Sequence, residues 1–201
     1  IIESEFNVRA TYYFRTIKCS FDPQIIKKIT DLGHEIGYHY EDLTLCHGDT
    51  DAALKMFEEN LASLKVLYPI KTICMHGSPL SRWDNRLVWE QHNYRDFGII
   101  GEPYFDIDFD EIFYATDTGR SWNRIGLAIR DKVKTRFDLK VNSTYNLIER
   151  IQQGTFPAKA MINTHPQRWS DDKISWFGEL AAQSIKNIIK RSLILLNSFW
   201  R

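Results

Sequence analysis

The chain has 201 residues, of which 43% are hydrophobic and 13% aromatic, and its 26 basic side chains balance 26 acidic ones. The apolar share is enough for a buried core, and the balanced charge supplies neither the basic stripe of a nucleic-acid binder nor a polybasic membrane-surface segment. No apolar run approaches the roughly 18 residues of a membrane span, and the first residues do not place a basic segment ahead of an apolar one.

The chain opens inside a helix-like phrase, "IIESEFN". Ile1, Ile2 and Phe6 fit the last turns of an amphipathic helix and Asn7 fits its stop. The expectation is a single domain over 1–201 that lacks a segment upstream of Ile1. "VRATYYFR" (8–15) reads as a strand from its β-branched and aromatic content. "DPQIIKKITDLG" (22–33) reads as a short helix with Asp22 as N-cap, Pro23 in the first turn and Gly33 at its end. "EIGYHY" is a second strand. "DTDAALKMFEENLASLKVLYP" is a helix with Leu54, Phe57, Leu61 and Leu64 on one face. "KTICMHG" is a third strand, followed by a long polar-aromatic loop. "FGIIGEP" and "EIFYATDTGR" are strand-like, "STYNLIERIQQ" is helical, "KAMINTHP" is another strand, and from Ser170 a long helix runs almost to Arg201. Strands alternating with helices imply βα units and a largely parallel sheet, either open or closed into a barrel. No GxGxxG or Walker A phrase supports nucleotide binding. Cys19, Cys46 and Cys74 form no CxxC pair and read as free thiols of a reducing, cytoplasmic compartment.

Four strands end on polar residues: His39, His76, Asp117 and His165. The carboxyl ends of parallel strands open on one face, which carries the chemistry of α/β folds. A single His at a strand end reads most simply as a hydrogen-bonding rim residue. Three at equivalent places read as a set, and neutral imidazole is the commonest zinc ligand. His34 precedes its strand and reads as a cap of local backbone, while His47 and His92 fall in polar loops. Because His34 and His39 are an odd number of residues apart, a strand would turn them to opposite faces.

"GHEIGYH" resembles the second motif of the polysaccharide deacetylases (carbohydrate esterase family four). "ATYYFR" is similar to the strand ahead of that motif, and "MINTHP" to the late strand whose His assists catalysis. "MHGSPLSRWDNR", "TDTGRSW" and "HPQRW" look like a divergent branch of the family. The resemblance implies a distorted or incomplete parallel (β/α) barrel, bound divalent metal, zinc in the first instance, and removal of acetyl groups from N-acetylated sugars. It implies that His39 is a ligand and His165 the acid that protonates the leaving amine. The family's second ligand position holds Leu43 here, which cannot bind metal. His76, Glu41 or Asp42 would substitute, His76 foremost. The family's first-strand aspartates would lie before Ile1, and its Arg-containing third-strand phrase is replaced by His76-Gly77-Ser78-Pro79.

In that chemistry a metal polarises the amide carbonyl and activates water, while positioned side chains move protons. Asp117 reads as a carboxylate beside the site or a substrate ligand, or alternatively as a turn residue bonding its own backbone. Arg120 and Arg168 flank the strand ends as substrate-holding candidates or as surface salt bridges. Trp83 and Trp122 are candidate sugar platforms, with Trp89 and Trp169 beside them; at most one or two of the four fit that role, and the others read as core or loop anchors. Other readings of the same residues are an inactive glycan-binding or scaffold module and a metal-dependent amidohydrolase acting on another amide. A carbohydrate is the expected partner; nucleic acid is not.

Overall fold

The computed structural model describes residues 2–78, 81–120, 122, 133–166 and 170–199, with the backbone alone at 190, 191 and 193–199. The chain divides into two compact units, Ile1–Ile107 and Asp108–Arg201.

The first unit opens with a helical turn, α1 (Ile2–Glu5), which stops where Asn7 takes a left-handed φ of 54°. Strand β1 (Thr11–Phe14) leads to helix α2 (Pro23–Asp31). The Asp22 carboxylate caps α2 by accepting from the Gln24 and Ile25 N–H groups, and Pro23 fits the first turn because no N–H is needed there. Strand β2 (Glu35–Tyr40) follows, then a helical turn α3 (Asp42–Leu45) and the helix α4 (Thr50–Lys65), capped by Asp49. Ala53, Phe57, Leu61 and Leu64 are the buried stripe of α4, so Ala53 takes the inward place expected for Leu54. Strand β3 (Ile73–Met75) completes a parallel sheet of order β1-β2-β3. The register sets Thr11 opposite Glu35 and Phe14 opposite Tyr38, and Tyr40 of β2 lies opposite Met75 of β3. Ile36, Tyr38 and Tyr40 pack with Phe57, Leu61, Ile73 and Leu43 into one core. At Gly37 an added Cβ would fall 2.4 Å from the Tyr13 ring, so only hydrogen fits there.

The second unit holds strands β4 (Phe113–Thr116) and β5 (Ala160–Asn163), paired in parallel from Phe113–Ala160 to Thr116–Asn163. Helix α6 (Thr144–Gln152) begins at a Ser143 cap, and Phe113, Ala115, Val141 and Leu147 form the core beside it. The long helix α7 (Lys173–Phe199) follows. No helix among the described residues is long and apolar enough to cross a membrane.

The class is α/β with parallel pairing, but the expected (β/α) barrel is wrong. The described strands make two small sheets of three and two, and neither closes. A barrel needs a continuous hydrogen-bonded circuit of strands. The segment "FGIIGEP", read as a strand, shows why the circuit stops at β3. It makes only an isolated bridge, Thr72 to Gly101, beside β3. The next donor on that edge, the Met75 N–H, goes to the Glu102 carboxylate at 3.1 Å instead of a strand carbonyl. Pro103 then starts the helical turn α5 (Pro103–Asp106), with Glu102 accepting the Tyr104 N–H at 2.6 Å. A side chain ends the ladder where a further strand would have continued it. None of the three cysteines is joined in a disulfide.

Candidate functional site

The residues expected at the strand ends fall two in each unit. In the first unit the neighbouring strands β1, β2 and β3 are followed directly by Arg15, Glu41 and His76. These three meet. Arg15 Nε donates to Glu41 Oε1 at 2.7 Å, and His76 Nδ1 lies 2.8 Å from Glu41 Oε2. Glu41 is only 5% exposed. Burial pushes its carboxyl up, but the hydrogen bonds and charges of His76 and Arg15 outweigh that and hold it below the usual carboxylate value. His76 is fixed from behind as well. Its N–H donates to the Tyr40 carbonyl at 2.7 Å, and the buried Asn85 amide donates to its carbonyl at 2.8 Å. Ser78 Oγ stands 3.1 Å from the same ring nitrogen as Glu41.

His39 stands beside His76, with ring centroids 5.1 Å apart and the planes nearly perpendicular. Its Nδ1 is 2.9 Å from the Cys74 carbonyl, which can only accept, so this nitrogen carries the proton. His34 behaves differently. It is 3% exposed, and its Nδ1 accepts the Ala10 N–H at 3.2 Å. The odd spacing separates the two: His39 adjoins His76, while His34 accepts from Ala10, ahead of the neighbouring strand β1, and not from the local backbone expected for it.

A divalent metal can be tested against this donor set. Each imidazole has its Nδ1 committed, to Cys74 and to Glu41, which is how proteins orient His for coordination through Nε2. Two imidazoles are nevertheless fewer than the three ligands of a catalytic zinc. The named substitutes do not supply the third. Glu41 is engaged by Arg15 and His76. Asp42 is buried and accepts from the Tyr38 hydroxyl at 2.8 Å and the Asn60 amide at 2.8 Å. Burial raises the Asp42 carboxyl to about 6 against the pull of those bonds. Leu43 is a core residue, 3% exposed. Among the described residues no group of three or more His, Cys, Asp or Glu could hold a metal ion. The described residues do not make up a complete zinc site.

In the second unit Asp117 follows β4 and His165 lies two residues past β5. The parallel pairing brings them together: Asp117 Oδ1 is 2.5 Å from His165 Nδ1, and the His165 N–H donates to Oδ2 at 3.3 Å. The carboxylate accepts, so it fixes the tautomer with the proton on Nδ1 and leaves Nε2 as the basic nitrogen. This is the base–orienter pairing of acid–base sites. Asp117 also closes its turn through backbone, accepting the Arg120 N–H at 2.9 Å on its carbonyl. The turn is thus closed by main chain, and the Asp117 carboxylate bonds His165 and not its own backbone.

Of the other candidates, Arg120 is paired with Glu179 of α7. Trp83 is a loop anchor: its Nε1 lies where a Cβ on Gly48 would be 2.0 Å away, and Arg82 stacks at 4.5 Å from its ring. Trp122 packs against the second core and donates Nε1 to Thr144 at 3.0 Å. Trp89 is wedged among Tyr40, Phe57 and Tyr94. Arg168 and Trp169 lie outside the described residues.

Sequence reasoning missed three groups. Arg15 only ends a strand-like phrase and carries no signal of its own. Glu102 is wholly buried, and its one signal was the Glu-Pro pair of a helix start. Glu179 carries no local signal at all, since only the packing of α7 on the turn after β4 makes it Arg120's partner. No family model, curated protein or solved structure matches the chain.

Proposed function

We propose that the chain is a hydrolase that removes acetyl groups from N-acetylated sugars. The observation that carries this reading is the Asp117–His165 pair at the carboxyl ends of β4 and β5. The likeness of "MINTHP" to the late deacetylase strand directs the reading to an amide of a sugar. Hydrolysis requires a water to attack the acetyl carbonyl carbon, the C–N bond to break, and a proton to reach the departing nitrogen. His165 Nε2 takes the proton of the attacking water and returns it to the amine, while Asp117 holds the ring and offsets the imidazolium charge. Acetate and the free amine leave.

A second reading, glycan binding without turnover, is favoured by one observation: Leu43, at the expected ligand position, is built into the core. The two readings part on one assay. The full chain is incubated with tri-N-acetylchitotriose, with and without added zinc, and acetate is measured. Release that disappears in His165→Ala supports the hydrolase. Saturable sugar binding with no acetate in either condition favours the module, and equal release by His165→Ala removes His165 from the chemistry.

A further inference from the structure

The turn after β4 contains a feature that proton transfer at His165 leaves unused. The chain turns through Asp117, Thr118, Gly119 and Arg120, where Gly119 has φ 70° and Arg120 φ 58°. Left-handed backbone is easy for glycine and strained for arginine, whose Cβ crowds the following carbonyl. The strain is held in place by α7, from which the Asn187 amide donates to the Gly119 carbonyl at 2.8 Å. The arginine side chain is held as firmly. Its Nε donates to the Glu179 carboxylate, and its guanidinium lies 4.8 Å over the Trp176 ring. Only 16% of the side chain is exposed. One nitrogen stands out: Nη2 is buried and has no hydrogen-bond partner among the described residues.

An ordinary surface salt bridge leaves its spare donors in water. Here a spare donor is withdrawn from water in a residue whose backbone is also strained. Buried donors are almost always satisfied, and strain concentrates where a ligand is held. The missing partner must be an acceptor. Glu179 already neutralises the guanidinium, and a second negative charge brought to Nη2 would be repelled by that carboxylate. The fitting acceptor is therefore an uncharged oxygen. We infer that Arg120, Glu179 and Trp176 form a subsite for a neutral sugar, with a hydroxyl or acetamido oxygen accepting from Arg120 Nη2 beside the Asp117–His165 pair. The choice of a sugar rests on the deacetylase reading. The choice of an uncharged ligand rests on the ion pair alone.

The test titrates the full chain with tri-N-acetylchitotriose and with trigalacturonate, following tryptophan fluorescence, and measures acetate release in parallel. The wild-type chain should bind the neutral trimer and discriminate against the uronate. Arg120→Gln should weaken neutral binding by roughly tenfold or more, the loss expected for one bond from a charged donor. Glu179→Gln exposes an uncompensated guanidinium and should gain uronate binding, a change that a misfolded variant cannot produce. The inference is overturned if the wild type binds neither trimer or prefers the uronate, if Arg120→Gln binds like the wild type, or if Glu179→Gln gains nothing. Arg120-dependent sugar binding without acetate release overturns the hydrolase reading alone. Acetate release whose KM is unchanged by Arg120→Gln overturns the subsite alone.

Discussion

Glu102→Gln is the most demanding test of how the first unit is built. Glu102 is wholly buried, and its two carboxylate oxygens each accept a backbone N–H, Met75 on Oε1 at 3.1 Å and Tyr104 on Oε2 at 2.6 Å. Burial raises the carboxyl from 4.5 to about 7, against the opposing pull of those N–H groups and of Arg86. The folded value is raised, so the native state binds the proton more tightly than the unfolded chain between pH 4.5 and about 7. Stability from this group is then full below pH 4.5 and falls as pH rises to about 7, by about 3 kcal/mol at ~1.4 kcal/mol per pH unit. Glutamine cannot ionise, so it removes that slope. It also keeps only one carbonyl oxygen, and its amide opposes one of the two N–H donors, which costs about 1–3 kcal/mol. The variant should therefore be less stable than the wild type at pH 5 and close to it at pH 8. Urea unfolding of both chains at pH 5, 6, 7 and 8 reads the difference, in which the titrations of all other groups cancel. A stability difference that stays constant from pH 5 to 8 would refute the assignment of a charge-sensitive carboxylate to this position.

Tyr38→Phe removes the hydroxyl that donates to Asp42, at a cost of about 1–3 kcal/mol. Because Asp42 is raised to about 6 and loses a bond to its ionised form, the penalty should be larger at pH 7 than at pH 4; a penalty independent of pH in urea melts would contradict this. His34→Ala removes a buried ring and the acceptor of the half-buried Ala10 N–H, and should lower the thermal midpoint more than His39→Ala, whose ring is half-buried; the reverse order would mean the two histidines are wrongly placed. Gly37→Ala puts a methyl carbon 2.4 Å from the Tyr13 ring and 3.0 Å from the Thr72 carbonyl, so it should cost about 1–3 kcal/mol by overpacking, and an unchanged urea midpoint would show that the strand contact is looser than this.

The elements were legible in the sequence because their signals are local. Caps and periodicity depend on neighbours within a few residues, and so Asp22 caps its helix as read, and the helices capped by Asp49 and Ser143 fall within the phrases read as helical. The alternation in "GHEIGYHYED" likewise separated His34 from His39 before any partner was known. What each strand end meets was beyond such reading. Arg15, Glu41 and His76 are far apart in the chain and become neighbours only because β1, β2 and β3 pair in that order. Closure was the expectation that failed, since it depends on whether the β3 edge finds another strand, and a single buried carboxylate at Glu102 takes the N–H that such a strand would have needed. The same holds for Arg120. Its turn was visible in "TDTGR", but the ion pair, the stacked Trp176 and the unfilled donor exist only once α7 lies against that turn. Local propensity decides where a chain is helix or strand, whereas long-range hydrogen bonding and burial decide which polar groups are left with work to do.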